Sequence, residues 1–230
     1  MLSVIVNTIA VLLGSLIGLV CRKGISEKYQ SAIMLAIGIC TTFIGFQGAL
    51  KGENILVAIL SMVVGVAVGT GLDLNGKMNG LAGKVEARFS KGNDKGNFAQ
   101  GLVTAFLLWC IGAMTIVGSL EAGISHNYEM IYTKSLLDFI SSMMLASSLG
   151  VGVIFAAVPL FLFQGAIVLL SGLLEPLLST SMINEITCVG SLIIFALGLN
   201  LMGITKTKVA DFLPAIFLAP FASILMSFVI

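Results

Sequence analysis

Apolar residues fill most of the chain, and polar residues gather in short breaks between the apolar runs. Runs of about 18 or more apolar residues are typical of helices that cross a hydrocarbon core. The runs are continuous rather than alternating, which argues against the strands of a membrane barrel. Division at the polar breaks predicts eight spans: 2–21, 31–50, 54–74, 98–120, 134–155, 159–178, 186–204 and 209–229.

Composition supports this pattern and excludes a soluble domain. Hydrophobic residues make up 58% of the chain, charged residues only 10%, and the mean hydropathy is +1.10. A soluble domain carries far more charge on its surface. The sequence therefore predicts an all-α polytopic membrane protein, with residues 1–230 forming a single transmembrane domain.

The positive charges predict the orientation, because basic loops stay in the cytoplasm. With the N-terminus outside, ten of the twelve Lys and Arg residues lie in inner loops, and Lys51 and Lys134 lie outside. Fusing the fifth and sixth spans would move Lys206 and Lys208 to the outer side, so the charges favour eight spans. Both termini are then expected outside. Pro159 is expected in the first turn of the sixth helix, where its missing N–H is harmless.

The polar segment 75–97 is the one sizeable loop, and its basic residues outnumber Glu86 and Asp94. Met78, Leu81, Val85 and Phe89 recur in it at helical spacing. Two interpretations stay open: a short basic amphipathic helix on the inner membrane surface, or a solvated linker.

Weak internal similarities relate the first three spans to the last three. NTIAVLLGSLI from Asn7 aligns with QGAIVLLSGLL from Gln164 at an offset of 157, and NILVAIL from Asn54 aligns with DFLPAIF from Asp211 at the same offset. Asn54 and Asp211 are both expected to cap a helix. Between these matches, Gln47 and Asn200 align at an offset of 153.

The collinear order of these matches predicts an inverted repeat, because five spans separate the partner helices. Units 1–74 and 159–230 would flank a middle helix pair, 98–155. Inverted repeats are a recurring basis of secondary transporters. Asn7 and Gln47 would lie in the outer half of the membrane, and Gln164 and Asn200 in the inner half. These amides would either line a solute path or only join helices by hydrogen bonds.

The middle spans carry further polar candidates. Thr115 and Ser119 offer hydroxyls to a solute path or to a neighbouring helix. Lys134 and Asp138 stand at i and i+4, within pairing reach, with Asp138 about 6 Å deeper. Asp138 would be either a coupling carboxylate controlled by Lys134 or half of a structural ion pair near the outer interface. The structural pair is favoured, with Lys134 reaching out to solvent, because charged residues are functional by default only when they lie well inside the bundle.

Several segments resemble a known family of bacterial membrane proteins. They are VNTIAVLLGSLIG, FLLWCIGAMTIVGSLEAG, KSLLDFISSMMLASSLGVGV, FLFQGAIVLL and LGLNLMGITKTKVADFLPA. Together they resemble the uncharacterised integral membrane family that includes YdfK and YqgA, and the resemblance covers nearly the whole chain. It implies a multi-pass protein of the bacterial cytoplasmic membrane and no particular substrate.

These observations predict a secondary transporter of a small solute or ion. The alternative is a structural or regulatory scaffold without transport activity, and a channel is the third interpretation. An enzyme is not expected, because no phosphate loop or catalytic group stands out. No cofactor or metal site is expected, since the lone His126 and the four cysteines lack ligand spacing. No nucleic-acid partner is expected either. The partners would be the lipid bilayer and the solute, and two GxxxG patterns weakly indicate a homo-oligomer.

Overall fold

The computed structural model describes residues 1–22, 27–89, 97–110, 113–174, 176 and 178–227. Throughout this part of the chain the regular structure is helical, with no strand, as the apolar runs predict. The helices are α1 (Leu2–Arg22), α2 (Glu27–Ala49), α3 (Ile55–Gly71), α4 (Leu74–Phe89), α5 (Asn97–Cys110), α6 (Ala113–Ile124), α7 (Glu129–Leu149), α8 (Gly152–Phe155), α9 (Ala157–Leu174), α10 (Thr180–Leu201), a 3-10 helix (Val209–Phe212) and α11 (Leu213–Ser227).

Five helical segments are long and apolar enough to cross a membrane: α1, residues 31–49 of α2, α8 with α9, α10, and the 3-10 helix with α11. The number is up to seven if each of two bent helix pairs is one span: α3 with the start of α4, inclined by 54°, and α5 with α6, inclined by 57°. Helix α7 has 21 residues but carries Glu129, Lys134 and Asp138, so it is less apolar than these five spans. These counts apply to the described ranges and indicate a multi-pass membrane protein.

The long run 134–178 divides into two helices at a different residue from the one predicted. Gly150 ends α7 with φ of 80°, a left-handed conformation that glycine adopts without strain. Helices α8 and α9 then form one continuous span from Gly152 to Leu174. Pro159 stands in the first turn of α9, as predicted, but the predicted end of the fifth span at residue 155 is wrong.

Small residues bring the helices into close pairs. Gly14 and Gly18 of α1 face Ser142 and Ala146 of α7, so these two helices run parallel. Gly123 of α6 packs in the same way against α9. A Cβ at any of these glycines would collide with the facing helix, which explains the absence of a side chain there.

Two other close helix pairs are antiparallel. Gly38 faces Met202 and Gly45 faces Phe195, which joins α2 to α10. Gly65 abuts Ala215 and Gly69 abuts Asp211, which joins α3 to α11. Both GxxxG patterns of the sequence are therefore used inside the chain. Large apolar side chains cover the outward faces of these helices, as lipid contact requires.

The polar segment after α3 forms a helix, α4, which favours the helical interpretation of residues 75–97 over the linker. Residues 90–96 of this segment lie outside the described part of the chain. Asp73 precedes α4, and its Oδ1 accepts a hydrogen bond of 3.3 Å from Gly76 N. Whether α4 lies on the membrane surface stays a prediction.

Candidate functional site

Four polar side chains meet between α1, α7 and α9: Asn7, Lys134, Asp138 and Gln164. Asn7 Nδ2 donates to Gln164 Oε1 at 3.0 Å and to Asp138 Oδ2 at 3.1 Å. The Lys134 ammonium pairs with the same Asp138 oxygen. None of the four residues is more than 6% exposed. We call this group the central polar cluster.

The cluster lies deep in the helix bundle. Asp138 is the tenth residue of the 21-residue α7, so it lies about 14 Å from the start of that helix. Lys134 lies one turn earlier, and its ammonium contacts Asp138 rather than solvent. The expectation that Lys134 reaches out to the interface is therefore wrong. Charges at this depth are costly unless they are paired, as these two are.

Hydrogen bonding within the cluster is incomplete. An ionised carboxylate can only accept hydrogen bonds, so Asp138 fixes the Asn7 amide with its NH2 group toward Asp138 and Gln164. Asn7 Oδ1 and Gln164 Nε2 then find no protein partner, and neither does Ser3 Oγ, one turn before Asn7. A buried polar group without a partner costs about 1–3 kcal/mol. The cluster thus contains a buried acceptor and a buried donor without hydrogen-bond partners.

Ser119 lies at the same level of the bundle on α6. Ala122 of α6 packs in one apolar group with Val4, Ile131 and Val168. On the other three helices, a polar residue lies one turn away from the apolar residue of this group. Asn7 follows Val4, Ser135 follows Ile131, and Gln164 precedes Val168. Ser119 stands one turn before Ala122 and is fully buried, and its Oγ has no partner. Helical spacing therefore brings this hydroxyl into the layer of the cluster.

Thr115 has a different role from Ser119. Its Oγ1 donates to Trp109 O at 2.8 Å, which satisfies a backbone carbonyl in the last turn of α5. The buried indole of Trp109 in turn donates to Ser141 Oγ at 2.9 Å, and Ser141 bonds to the backbone oxygen of Asp138. These bonds connect the bend between α5 and α6 to the turn of α7 that carries Asp138.

The amides Gln47 and Asn200 lie away from the cluster. Gln47 is exposed on α2. Asn200 bonds within its own loop: Oδ1 accepts from Thr205 Oγ1 at 2.6 Å and from Thr207 N at 2.9 Å, and Nδ2 donates to Thr207 O at 2.7 Å. The predicted outer pair of Asn7 with Gln47 and inner pair of Gln164 with Asn200 are therefore wrong. Asn7 instead pairs with Gln164.

Two buried acids satisfy the ends of neighbouring helices. Asn54 caps α3 as predicted, since its side chain accepts from Leu56 N at 2.9 Å. Asp211 accepts from Asn75 N at 2.8 Å, so it caps α4 rather than its own helix. Glu185 accepts from Glu53 N and Asn54 N at the start of α3.

Glu185 lies outside the predicted seventh span, because the apolar pattern places the start of that span at residue 186. Ser179 caps α10 and accepts from Met182 N, so the helix begins at Thr180 and includes Glu185. A serine followed by a continuous stretch without Gly or Pro was the available signal. Its partners, 131 and 132 residues earlier, could not be identified from sequence.

Comparison with known proteins identifies the family. Residues 2–224 match the family model described as "Protein of unknown function (DUF554)". The chain belongs to this family. It is 36% identical over 224 residues to the "Uncharacterized membrane protein YdfK" of Bacillus subtilis (strain 168), covering 96% of this chain and 94% of the relative.

The chain is also similar to a protein from another bacterium. The chain is 29% identical over 217 residues to the "Uncharacterized protein YqgA" of Escherichia coli (strain K12), covering 93% of this chain and 92% of the relative. No solved structure matches the chain. The relatives thus agree with the resemblance noted in the sequence, the name of YdfK agrees with a membrane location, and none of these names gives an activity.

Proposed function

We propose that the protein is a secondary transporter of a small neutral or zwitterionic solute, and that the central polar cluster contacts this solute. The observation that carries the proposal is the position and incompleteness of the cluster. It lies deep in the bundle, joins three helices, and keeps an acceptor on Asn7 and a donor on Gln164 without partners. Polar groups kept at such depth commonly serve a solute or ion pathway.

The charge balance of the cluster favours an uncharged or zwitterionic solute. Lys134 and Asp138 neutralise each other, so a solute with net charge would meet no compensating charge. Asp138 is also suited to couple transport to a cation. A proton or metal ion on its carboxylate would release Lys134 and weaken the bond from Asn7, which links the state of Asp138 to the amides that would contact the solute.

An inverted repeat is part of this proposal, and direct contacts support it. Asn7 and Gln164, aligned at the offset of 157, touch each other. At the offset of 153, Gly45 corresponds to Gly198 and Gly38 to Ser191. Gly45 approaches Ser191, and Gly198 approaches Gly38, which is the pair of contacts that a two-fold axis between α2 and α10 would produce.

We further propose that the protein resides in the bacterial cytoplasmic membrane with both termini outside. The directions of the first, fifth and sixth predicted spans agree with this order of crossings. Helix α7 runs parallel to α1, while Val4 and Asn7 pack against Val168 and Gln164 of an antiparallel α9. The orientation itself rests on the ten basic residues of the predicted inner loops.

Transport is tested with purified protein in liposomes. Currents would be recorded on a solid-supported membrane after jumps in urea, glycerol, glycine or alanine, each with an imposed proton or sodium gradient. We expect one of these solutes to give saturable, gradient-dependent currents that empty liposomes lack.

The variant Asp138→Asn separates transport from a scaffold role. Asparagine preserves the shape of the side chain and an oxygen that can accept from Asn7, but it cannot bind a proton. We expect gradient dependence to disappear while the folded fraction stays measurable. Glu129→Gln, an exposed change on the same helix, is the matched control and should leave the currents unchanged. Absence of current with every solute and gradient would favour the scaffold.

A further inference from the structure

A second polar site lies at one end of the bundle, far in sequence from the central cluster. A cavity of about 280 Å³ opens where α3 and α10 begin and α11 ends. Its lining includes the acids Glu53 and Glu185, the hydroxyls of Ser181 and Ser223, and the apolar side chains of Val57 and Met226. We call it the end cavity.

Glu185 is the most buried polar residue of the end cavity, with 1% exposure. Its Oε1 accepts from Glu53 N at 2.8 Å and from Asn54 N at 2.7 Å, which anchors the start of α3. Its Oε2 has no hydrogen-bond partner. Leaving one oxygen of a buried carboxylate unpaired is costly, so a ligand that donates to Oε2 would be held strongly.

Glu53 adds negative charge at the mouth of the cavity. Its carboxylate accepts from Ser181 Oγ and Asn184 Nδ2, each at 2.7 Å. These two hydrogen bonds hold the pKa of Glu53 below its usual value, so the group is charged at neutral pH. Among the described residues, neither acid forms an ion pair with a Lys or Arg.

We propose that the end cavity binds a small primary ammonium ion. Its N–H groups would donate to Glu185 Oε2, its charge would balance the carboxylates, and its alkyl part would lie against Val57 and Met226. A divalent metal fits less well, because the described residues include no group of three or more metal-binding acids, histidines or cysteines. The site is separate from the proposed transport site and does not depend on it.

Methylammonium chloride is the probe, and thermal unfolding of the detergent-purified full chain is the measurement. We expect a saturable rise of about 3 °C in the unfolding temperature, as binding to the folded state requires. Sodium chloride at the same ionic strength should give no such rise. Tetramethylammonium, which lacks N–H donors, should also give none. An equal rise with sodium or tetramethylammonium, or no rise with methylammonium, would overturn the proposal.

Two variants test the residues of the cavity. In Glu185→Gln the side-chain oxygen can still accept from the start of α3, but the amide N–H groups repel an ammonium ion, so the methylammonium effect should vanish. Ser223→Leu fills the cavity without removing any bond of Glu185 and should have the same result. Glu129→Gln, away from the cavity, should keep the full effect. A rise that persists in Glu185→Gln would contradict the assignment.

Discussion

Two pairs of amides align between the first and last parts of the sequence, Asn7 with Gln164 and Gln47 with Asn200, and the two pairs have different environments in the structure. Asn7 and Gln164 meet each other in the middle of the bundle, fully buried. Gln47 and Asn200 never meet: the first is exposed, and the second bonds to the loop that follows α10. The two pairs therefore differ in burial and in how completely their hydrogen bonds are satisfied.

This difference separates a structural amide from a candidate binding amide. Asn200 uses both ends of its side chain on Thr205 and Thr207, so its role in shaping the loop is fully explained. Asn7 and Gln164 each leave one polar atom without a partner. Burial with incomplete hydrogen bonding is the property that a ligand can exploit.

The largest effect is expected from the ion pair that anchors Asn7. Asp138→Ala leaves the Lys134 ammonium buried without a partner and should cost about 3–5 kcal/mol of unfolding free energy. The double variant Lys134→Met with Asp138→Leu removes both charges and should recover much of that loss. Denaturant unfolding in detergent measures both. If the single variant were as stable as wild type, the pair would not be buried as described.

A smaller loss is expected when the central amide pair is broken. Asn7→Leu leaves Gln164 Oε1 without its donor and should destabilise the protein by about 1–3 kcal/mol. Gln164→Leu should behave similarly, and the double variant should lose less than the sum of the two, because the shared bond is lost only once. Strict additivity would show that the two amides do not interact.

Asn200→Leu should have a milder effect of about 1 kcal/mol, because its loop is partly exposed and water can replace the lost hydrogen bonds. Thermal unfolding of the purified variant measures this effect. Any transport activity per folded molecule should be unchanged. A specific loss of activity in this variant would give Asn200 the role assigned here to Asn7.

Gln47→Leu should change the stability by less than about 0.5 kcal/mol, since the side chain is exposed and surface changes are usually that small. It serves as the amide-to-leucine control for Asn7→Leu in the same unfolding assay. A loss as large as that of Asn7→Leu would mean that Gln47 has a partner outside this single chain, such as a second copy.

Several features that depend on neighbouring residues in the sequence were predicted correctly. The apolar runs gave the helical membrane fold, the spacing of Lys134 and Asp138 gave their contact, and Asn54 gave a helix cap. Contacts across the fold were harder to predict. The offset that aligned Asn7 with Gln164 says nothing about which helices pack together.

The helix ends were a second source of error, and they affected the candidate sites. Gly150 ends α7 through its backbone conformation, whereas the apolar pattern continues past it. The apolar run that predicts the seventh span begins after Glu185, although the helix starts at Thr180. A buried acid is tolerated at this position because backbone N–H groups at the start of α3 donate hydrogen bonds to it. The sequence of α10 alone does not predict that contact.

The most direct test compares two double variants in the liposome current assay. Asn7→Leu with Gln164→Leu alters the central pair, and Gln47→Leu with Asn200→Leu alters the same number of amides elsewhere. Both would be measured with the solute that gives currents in wild type and normalised to folded protein. The account predicts that the first variant loses the currents and the second keeps them. Full currents in the folded Asn7→Leu and Gln164→Leu variant would contradict the central claim.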